Sequence, residues 1–109
     1  MQSFRHLSVS DASAVITKPQ TVVIDIRDLD SFNQGHITGA VRLDNENLAD
    51  FLRDTEYDSP VIVCCYHGNS SQPAAQFLIE QGFDEVYSLD GGFTEWSATH
   101  PDKIERSSA

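Results

Sequence analysis

Three short apolar runs, TVVIDI at residues 21–26, VIVCC at 61–65 and EVYSL at 85–89, divide the chain. None alternates with polar positions as a half-exposed strand does, so each reads as a strand covered on both faces. A briefer run, VRL at residues 41–43, predicts a fourth strand.

The spacing between these runs changes to that of a helix. Leu48, Phe51 and Leu52 recur on one face, with Asn47, Asp50, Arg53 and Asp54 turned to water and Asp44 or Asn45 as the cap. Ala75, Leu78, Ile79 and Gly82 form a buried stripe after a cap at Ser70 or Ser71, and Pro73 is tolerated in a first turn. Near the start, Ser8 or Ser10 caps a helix through about Thr17, with Ala12, Val15 and Ile16 on one side and Lys18-Pro19 as its stop. Residues 29–40 show little periodicity beyond a short helical turn at 31–34. Residues 93–98 predict a short helix in which Trp96 and Phe93 pack against the sheet, and residues 102–109 a loose tail.

Apolar strands alternating with amphipathic helices imply right-handed crossovers and a parallel sheet sandwiched by helices. With no internal repeat or boundary, residues 1–109 are expected to form one domain, large enough for its own core.

Composition narrows the function classes. With 39% hydrophobic and 22% charged residues there is no apolar segment long enough for a membrane span. The opening MQSFRHLSVSDAS lacks the basic stretch and apolar run of a secretory signal, so a cytoplasmic location is expected. Seventeen acidic against seven basic residues give a net charge of −10, which opposes nucleic acid and anionic lipid as partners. The two cysteines are sequence neighbours and would pair only through a strained ring, so free thiols in a reducing compartment are expected.

Ligands of open parallel sheets sit beyond the carboxyl ends of the strands. Two polar clusters fall there, Asp25-Ile26-Arg27-Asp28 and Cys65 to Ser71. Cys64 lies inside an apolar run and reads as a small buried hydrophobe. Cys65 ends its strand where the chain turns through Tyr66-His67-Gly68-Asn69-Ser70 into a helix. Backbone N–H groups converging there, aided by the helix dipole, would favour a thiolate and hold a small anion beside it. Gly68 permits the backbone angles such a loop needs. The plainer alternative is a cysteine that only finishes a strand beside a capped helix.

The segment CYHGNSS before a helix, with IDIRD, GHITGA and DGGFTEW in this order, resembles the rhodanese family of sulfurtransferases across nearly the whole chain. That resemblance implies an α/β rhodanese-like fold, with a parallel five-stranded sheet flanked by helices on both faces. It also implies ping-pong chemistry with no metal or organic cofactor. Cys65 would take the outer sulfur of thiosulfate as a persulfide and pass it to cyanide or a thiol, with reduced thioredoxin as a plausible acceptor. Tyr66, His67, Gly68, Asn69 and Ser70 match the family's active-site loop, whose amides would surround the persulfide. A protein persulfide carrier would use the same cysteine, whereas a noncatalytic interaction module would be marked by its loss.

Cysteine phosphatases and arsenate reductases also place a cysteine before an anion-cradling loop, but they need Cys-x5-Arg for a bidentate grip on the oxyanion. Ser71 stands at that position, and no lysine or arginine occurs between residues 54 and 102. Many rhodaneses carry a basic loop residue, while this loop has only His67, which adds charge below about pH 6.5. Weak thiosulfate affinity follows as an expectation. As supporting residues, Arg27 is expected to pair with Asp25 or Asp28 and brace a strand end, and His36 to hydrogen-bond within its loop. Arg42 falls near the same edge. A zinc site from Cys64, Cys65, His36 and His67 lacks the paired ligand spacing of structural zinc.

Overall fold

The computed structural model describes residues 3–107. Five strands form one parallel sheet in the order β1-β6-β5-β2-β4: β1 Arg5–Leu7, β2 Val22–Asp25, β4 Val41–Arg42, β5 Val61–Cys64 and β6 Val86–Leu89. Helices α1 Val9–Val15, α2 Leu29–Gln34 and α5 Gly92–Thr99 cover one face, and α3 Leu48–Asp54 and α4 Ser71–Glu80 the other. This is the expected α/β architecture.

The three continuous apolar runs form the centre because both of their faces are buried. Along β5, Ile62 and Cys64 point into a core with Val9, Ala12, Phe32 and Trp96, while Val61 and Val63 point into a second core with Ala75, Leu78, Ile79 and Phe83. All four β5 residues are fully buried.

Several boundaries differ from expectation. β1 is a strand where the sequence shows only a short opening segment, because its support comes from pairing with distant β6. The loose tail expected over residues 102–109 is corrected as far as residue 107, and residues 108–109 lie outside the described residues: β7 Ile104–Glu105 pairs antiparallel with β3 His36–Ile37, and Ser107 N–H reaches the Asn33 carbonyl. The stripe of α4 ends on fully buried Phe83 and not on Gly82. Gly82 instead takes φ 113° just after the helix, which lets Phe83 N–H turn back onto the Leu78 carbonyl. Ser8 is the cap of α1, accepting from Asp11 N–H at 3.1 Å. Asn47 and not Asp44 or Asn45 is the N-cap of α3, since the Asp44 carboxylate is taken by the amides of Glu46 and Asn47 in the turn before it. Among the described residues, no helix is long and apolar enough to cross a membrane.

Candidate active site

The carboxyl ends of β2 and β5 lie side by side, and the two polar clusters of the sequence meet there. β5 closes on Cys64, whose side chain is fully buried. Burial, and then the Asp25 carboxylate on the neighbouring strand, push the Cys64 thiol well above its ordinary range. Cys64 Sγ makes a weak bond to the Cys65 carbonyl. It is an inert hydrophobe, as its place in the run implies.

One residue later the chain leaves the sheet. Cys65 Sγ accepts from Gly68 N–H at 3.2 Å and from Ser71 N–H at 3.3 Å, the first residue of α4. Burial alone would raise this thiol, but the hydroxyl and N–H of Ser71 and the N–H groups of Gly68 and His67 outweigh it and lower its pKa. Cys65 is only 4% exposed, yet it shares with Tyr66, His67, Asn69 and Ser70 the wall of a surface cavity of about 160 Å3.

Glycine makes the loop possible at two places. Gly68 has φ +90°, and a Cβ there would stand 2.9 Å from Gly91 N. Gly92, the first residue of α5, has φ +59°, and its Cβ would fall 2.5 Å from the Tyr66 carbonyl and 2.6 Å from that of Cys65. Through this contact α5 grips the loop: Phe93 N–H donates to the Cys65 carbonyl at 2.8 Å and Thr94 N–H to that of Tyr66 at 3.1 Å. The sequence marks Gly91-Gly92 as a turn, but its bracing of the loop depends on a contact across nearly thirty residues.

Tyr66 is the exposed rim. Its hydroxyl donates to Asp28 and hydrogen-bonds Ser31, and with Ser31 this holds the Asp28 carboxyl at about 2. The side chains of His67, Asn69 and Ser70 are exposed, so their backbone forms the loop.

The supporting residues serve the neighbouring strand end. Arg27 donates from Nε and Nη2 to Asp25 at 3.0 and 2.8 Å, and from Nη2 to the Gly35 carbonyl at 2.7 Å. Asp25 is fully buried and Arg27 is 5% exposed, with the Phe93 ring 4.1 Å from the guanidinium. Asp25, not Asp28, is thus the partner of Arg27. Phe93 covers that guanidinium as well as packing on the sheet-facing core. Arg42 is engaged by the Arg27 carbonyl and Asp44. His36 is buried against Phe32, bonding the Phe32 carbonyl at 2.7 Å and Glu105 at 3.3 Å, so the strands β3 and β7 hold it outside the Cys65 loop. Neither arginine lines the Cys65 cavity.

Ser71 is a possible helix cap in the sequence and stands where phosphatases need arginine. In the fold it is fully buried behind the sulfur, and its Oγ meets Ser88 Oγ at 2.7 Å.

Known proteins resemble this chain in sequence and in fold. A family model described as a rhodanese-like domain matches residues 8–99. Similar proteins include thiosulfate sulfurtransferase GlpE of Shewanella oneidensis, 56% identical over 96 residues (88% of this chain and 95% of that protein). Thiosulfate sulfurtransferase GlpE of Pseudoalteromonas translucida is 48% identical over 104 residues, 95% of this chain and 99% of that protein. Among solved structures, the rhodanese-like domain of the Alr3790 protein from Anabaena superposes with a TM-score of 0.80 at 25% identity, covering 97% of this chain and 80% of that one.

Proposed function

The chain belongs to the rhodanese-like domain family, and from that membership we propose that it is a thiosulfate sulfurtransferase working through a persulfide on Cys65. The carrying observation is the Cys65 sulfur, bonded by the amides of Gly68 and Ser71, with Cys65 in the wall of a surface cavity. Relatives at about half identity over nearly their full length bear the name thiosulfate sulfurtransferase.

The chemistry follows in two displacements. The Cys65 thiolate attacks the outer sulfur of thiosulfate, the sulfur–sulfur bond breaks, and sulfite leaves with its electron pair. A persulfide remains on Cys65. Cyanide or a thiolate then attacks the outer persulfide sulfur, taking it as thiocyanate or as a new persulfide, and Cys65 departs as thiolate. A thiol of reduced thioredoxin fits the second role. In the first step the charge passes from Cys65 to the outer persulfide sulfur, and in the second it returns to the Cys65 sulfur that the loop amides already face, so that return needs little reorganisation.

Asp25 and Arg27 hold the strand end beside the loop, and His36 ties β3 to β7; none of the three transfers sulfur. Tyr66, His67, Gly68, Asn69 and Ser70 contact the substrate chiefly through their backbone.

Intact mass spectrometry after mixing with thiosulfate tests this reading. One added sulfur, about 32 Da, is expected on the wild type and is removed by cyanide. Cys65→Ser should gain none, while Cys64→Ala should behave as wild type. A persulfide surviving in Cys65→Ser, or lost in Cys64→Ala, would reverse the assignment.

A further inference from the structure

Arg27 spends two of its three guanidinium nitrogens on the strand end. Nε donates to both Asp25 carboxylate oxygens, at 3.0 and 3.1 Å, and Nη2 to Asp25 and the Gly35 carbonyl. Among the described residues Nη1 has no hydrogen-bond partner, although Arg27 is only 5% exposed. No buried side-chain nitrogen or oxygen among the described residues lacks a partner, so Nη1 is not sealed in and keeps an open edge.

That edge has one place to face. Arg27 lines a second cavity of about 360 Å3, with Ser31, Gln34, Gly35, Tyr66 and Phe93 as its other walls. The Phe93 and Tyr66 rings stand 4.1 and 5.6 Å from the guanidinium carbon. Tyr66 is also a wall of the Cys65 cavity, so the two cavities adjoin across it, and Phe93 N–H is tied to the Cys65 carbonyl at 2.8 Å. No carboxylate belongs to this lining.

We propose that this second cavity is an acceptor subsite: Arg27 Nη1 receives the carboxylate of a small thiol whose sulfur reaches past Tyr66 to the Cys65 persulfide. The proposal rests on the sulfur-transfer reading of Cys65. The acceptor thiolate attacks the outer persulfide sulfur and forms a new sulfur–sulfur bond; the bond to Cys65 Sγ breaks and its electron pair stays on Cys65. Nη1 and the carboxylate change no covalent bond. The edge of the guanidinium matched to Asp25 is already taken, so the brace keeps its ion pair and offers only its remaining N–H donors. Between two aromatic walls such a bond is screened less than at open surface. Arg27 does not line the cavity that Cys65 walls, so only an acceptor long enough to pass Tyr66 meets Nη1.

The sign of the effect is diagnostic. A chain of net charge −10 repels an anionic acceptor at long range, so without a local cation the acid form of a thiol should be the poorer acceptor. The subsite reverses that order.

The test loads the full chain with thiosulfate, confirms the added sulfur by mass, and then times discharge of the persulfide by 3-mercaptopropionate and by its neutral amide, each rate expressed per thiolate. The wild type should favour the acid about tenfold. Gln34→Glu brings a carboxylate into the cavity from an exposed position and should erase the preference. Asn33→Asp adds the same charge to α2 outside the cavity and should keep most of it. Should Gln34→Glu not fold, Gln34→Lys decides with the opposite sign, by strengthening the preference, and an unchanged ratio there counts against the subsite. A wild type that treats the acid no better than the amide would overturn the proposal, as would a preference surviving in Gln34→Glu or lost equally in Asn33→Asp. Loading by thiosulfate slowed as much as discharge by the acid in Gln34→Glu would give the guanidinium to the donor and also overturn it. Absence of the added sulfur before any acceptor is mixed would instead defeat the persulfide reading, and the subsite with it, so the two failures are distinct.

Discussion

β2 and β5 end side by side and treat charge in opposite ways. At the end of β2, the Asp25 carboxylate and Nε and Nη2 of the Arg27 guanidinium are buried against each other under the Phe93 ring. At the end of β5, backbone N–H groups converge on one sulfur atom beside a surface cavity. The first arrangement pairs its charge internally. The second turns positive dipole ends toward the sulfur, an arrangement that favours negative charge there. Adjacent strand ends thus divide into a brace and a site, and the two cysteines fall on either side of that divide.

Breaking the brace should produce the largest change in stability. Arg27→Ala leaves the Asp25 carboxylate fully buried with no counter-charge. Removing one partner of such a pair costs about 3–5 kcal/mol. Urea denaturation followed by circular dichroism should show that loss, whereas Cys65→Ser should shift the same curve by less than about 1 kcal/mol. Equal stability of Arg27→Ala and wild type would mean that the ion pair does not brace the strand end.

Gly92→Ala should come next and should strike the site more than the fold. A methyl there would fall 2.5 Å from the Tyr66 carbonyl, and the residue would keep a left-handed φ. The backbone penalty is about 1–2 kcal/mol. Displacing the loop by a fraction of the sulfur–amide distance is expected to slow persulfide formation by about 10²-fold. The melting temperature and the single-turnover rate, measured together, separate the two effects.

The legible part of this architecture is what local pattern decides. β2, β5 and β6 announce themselves as unbroken apolar runs, and Cys65 as the residue where one of them meets a helix start. β1 is only three residues with two exposed, and β3 and β7 are two residues each, so none carries a pattern long enough to read. Their support is non-local: His36 and Glu105 meet 69 residues apart. The same holds within the site. The pairing of Arg27 with Asp25 lies within a single turn of chain and can be anticipated, down to a choice between two carboxylates. The meeting of Ser71 with Ser88, and of Gly92 with Tyr66, exists only after α4 and β6 have packed. Its one sequence trace is a serine on the buried face of a strand and two glycines before a helix.

The two thiols sharpen the comparison by pH. The folded pKa of Cys65 lies below its unfolded value, so ionisation favours the fold. That contribution is fully present above the ordinary thiol value of 9.0 and is lost as pH falls through the lowered one. The stability of wild type relative to Cys65→Ser should therefore rise across that interval, and Cys65 should be alkylated at lower pH than a free cysteine. Cys64, raised by burial, should react only after denaturation. Simultaneous labelling of both cysteines in the native chain would erase the distinction.

The smallest expected effect is that of salt, and it tests whether the brace truly withholds its charge from the site. Thiosulfate is a dianion approaching a chain of net charge −10. Repulsion between them acts over the Debye length, about 10 Å at 0.1 M ionic strength, and is screened as salt rises. Arg27 is bound to Asp25, Arg42 to Asp44, and neither lines the Cys65 cavity, so the repulsion is expected to outweigh any cationic attraction that salt would weaken. The amides close to the sulfur act at short range and feel salt little. The value of kcat/KM for thiosulfate should therefore increase, by about twofold, between low and physiological ionic strength. A steep fall would mean that a guanidinium does reach the bound dianion, and with it that the Asp25–Arg27 pair opens when substrate arrives.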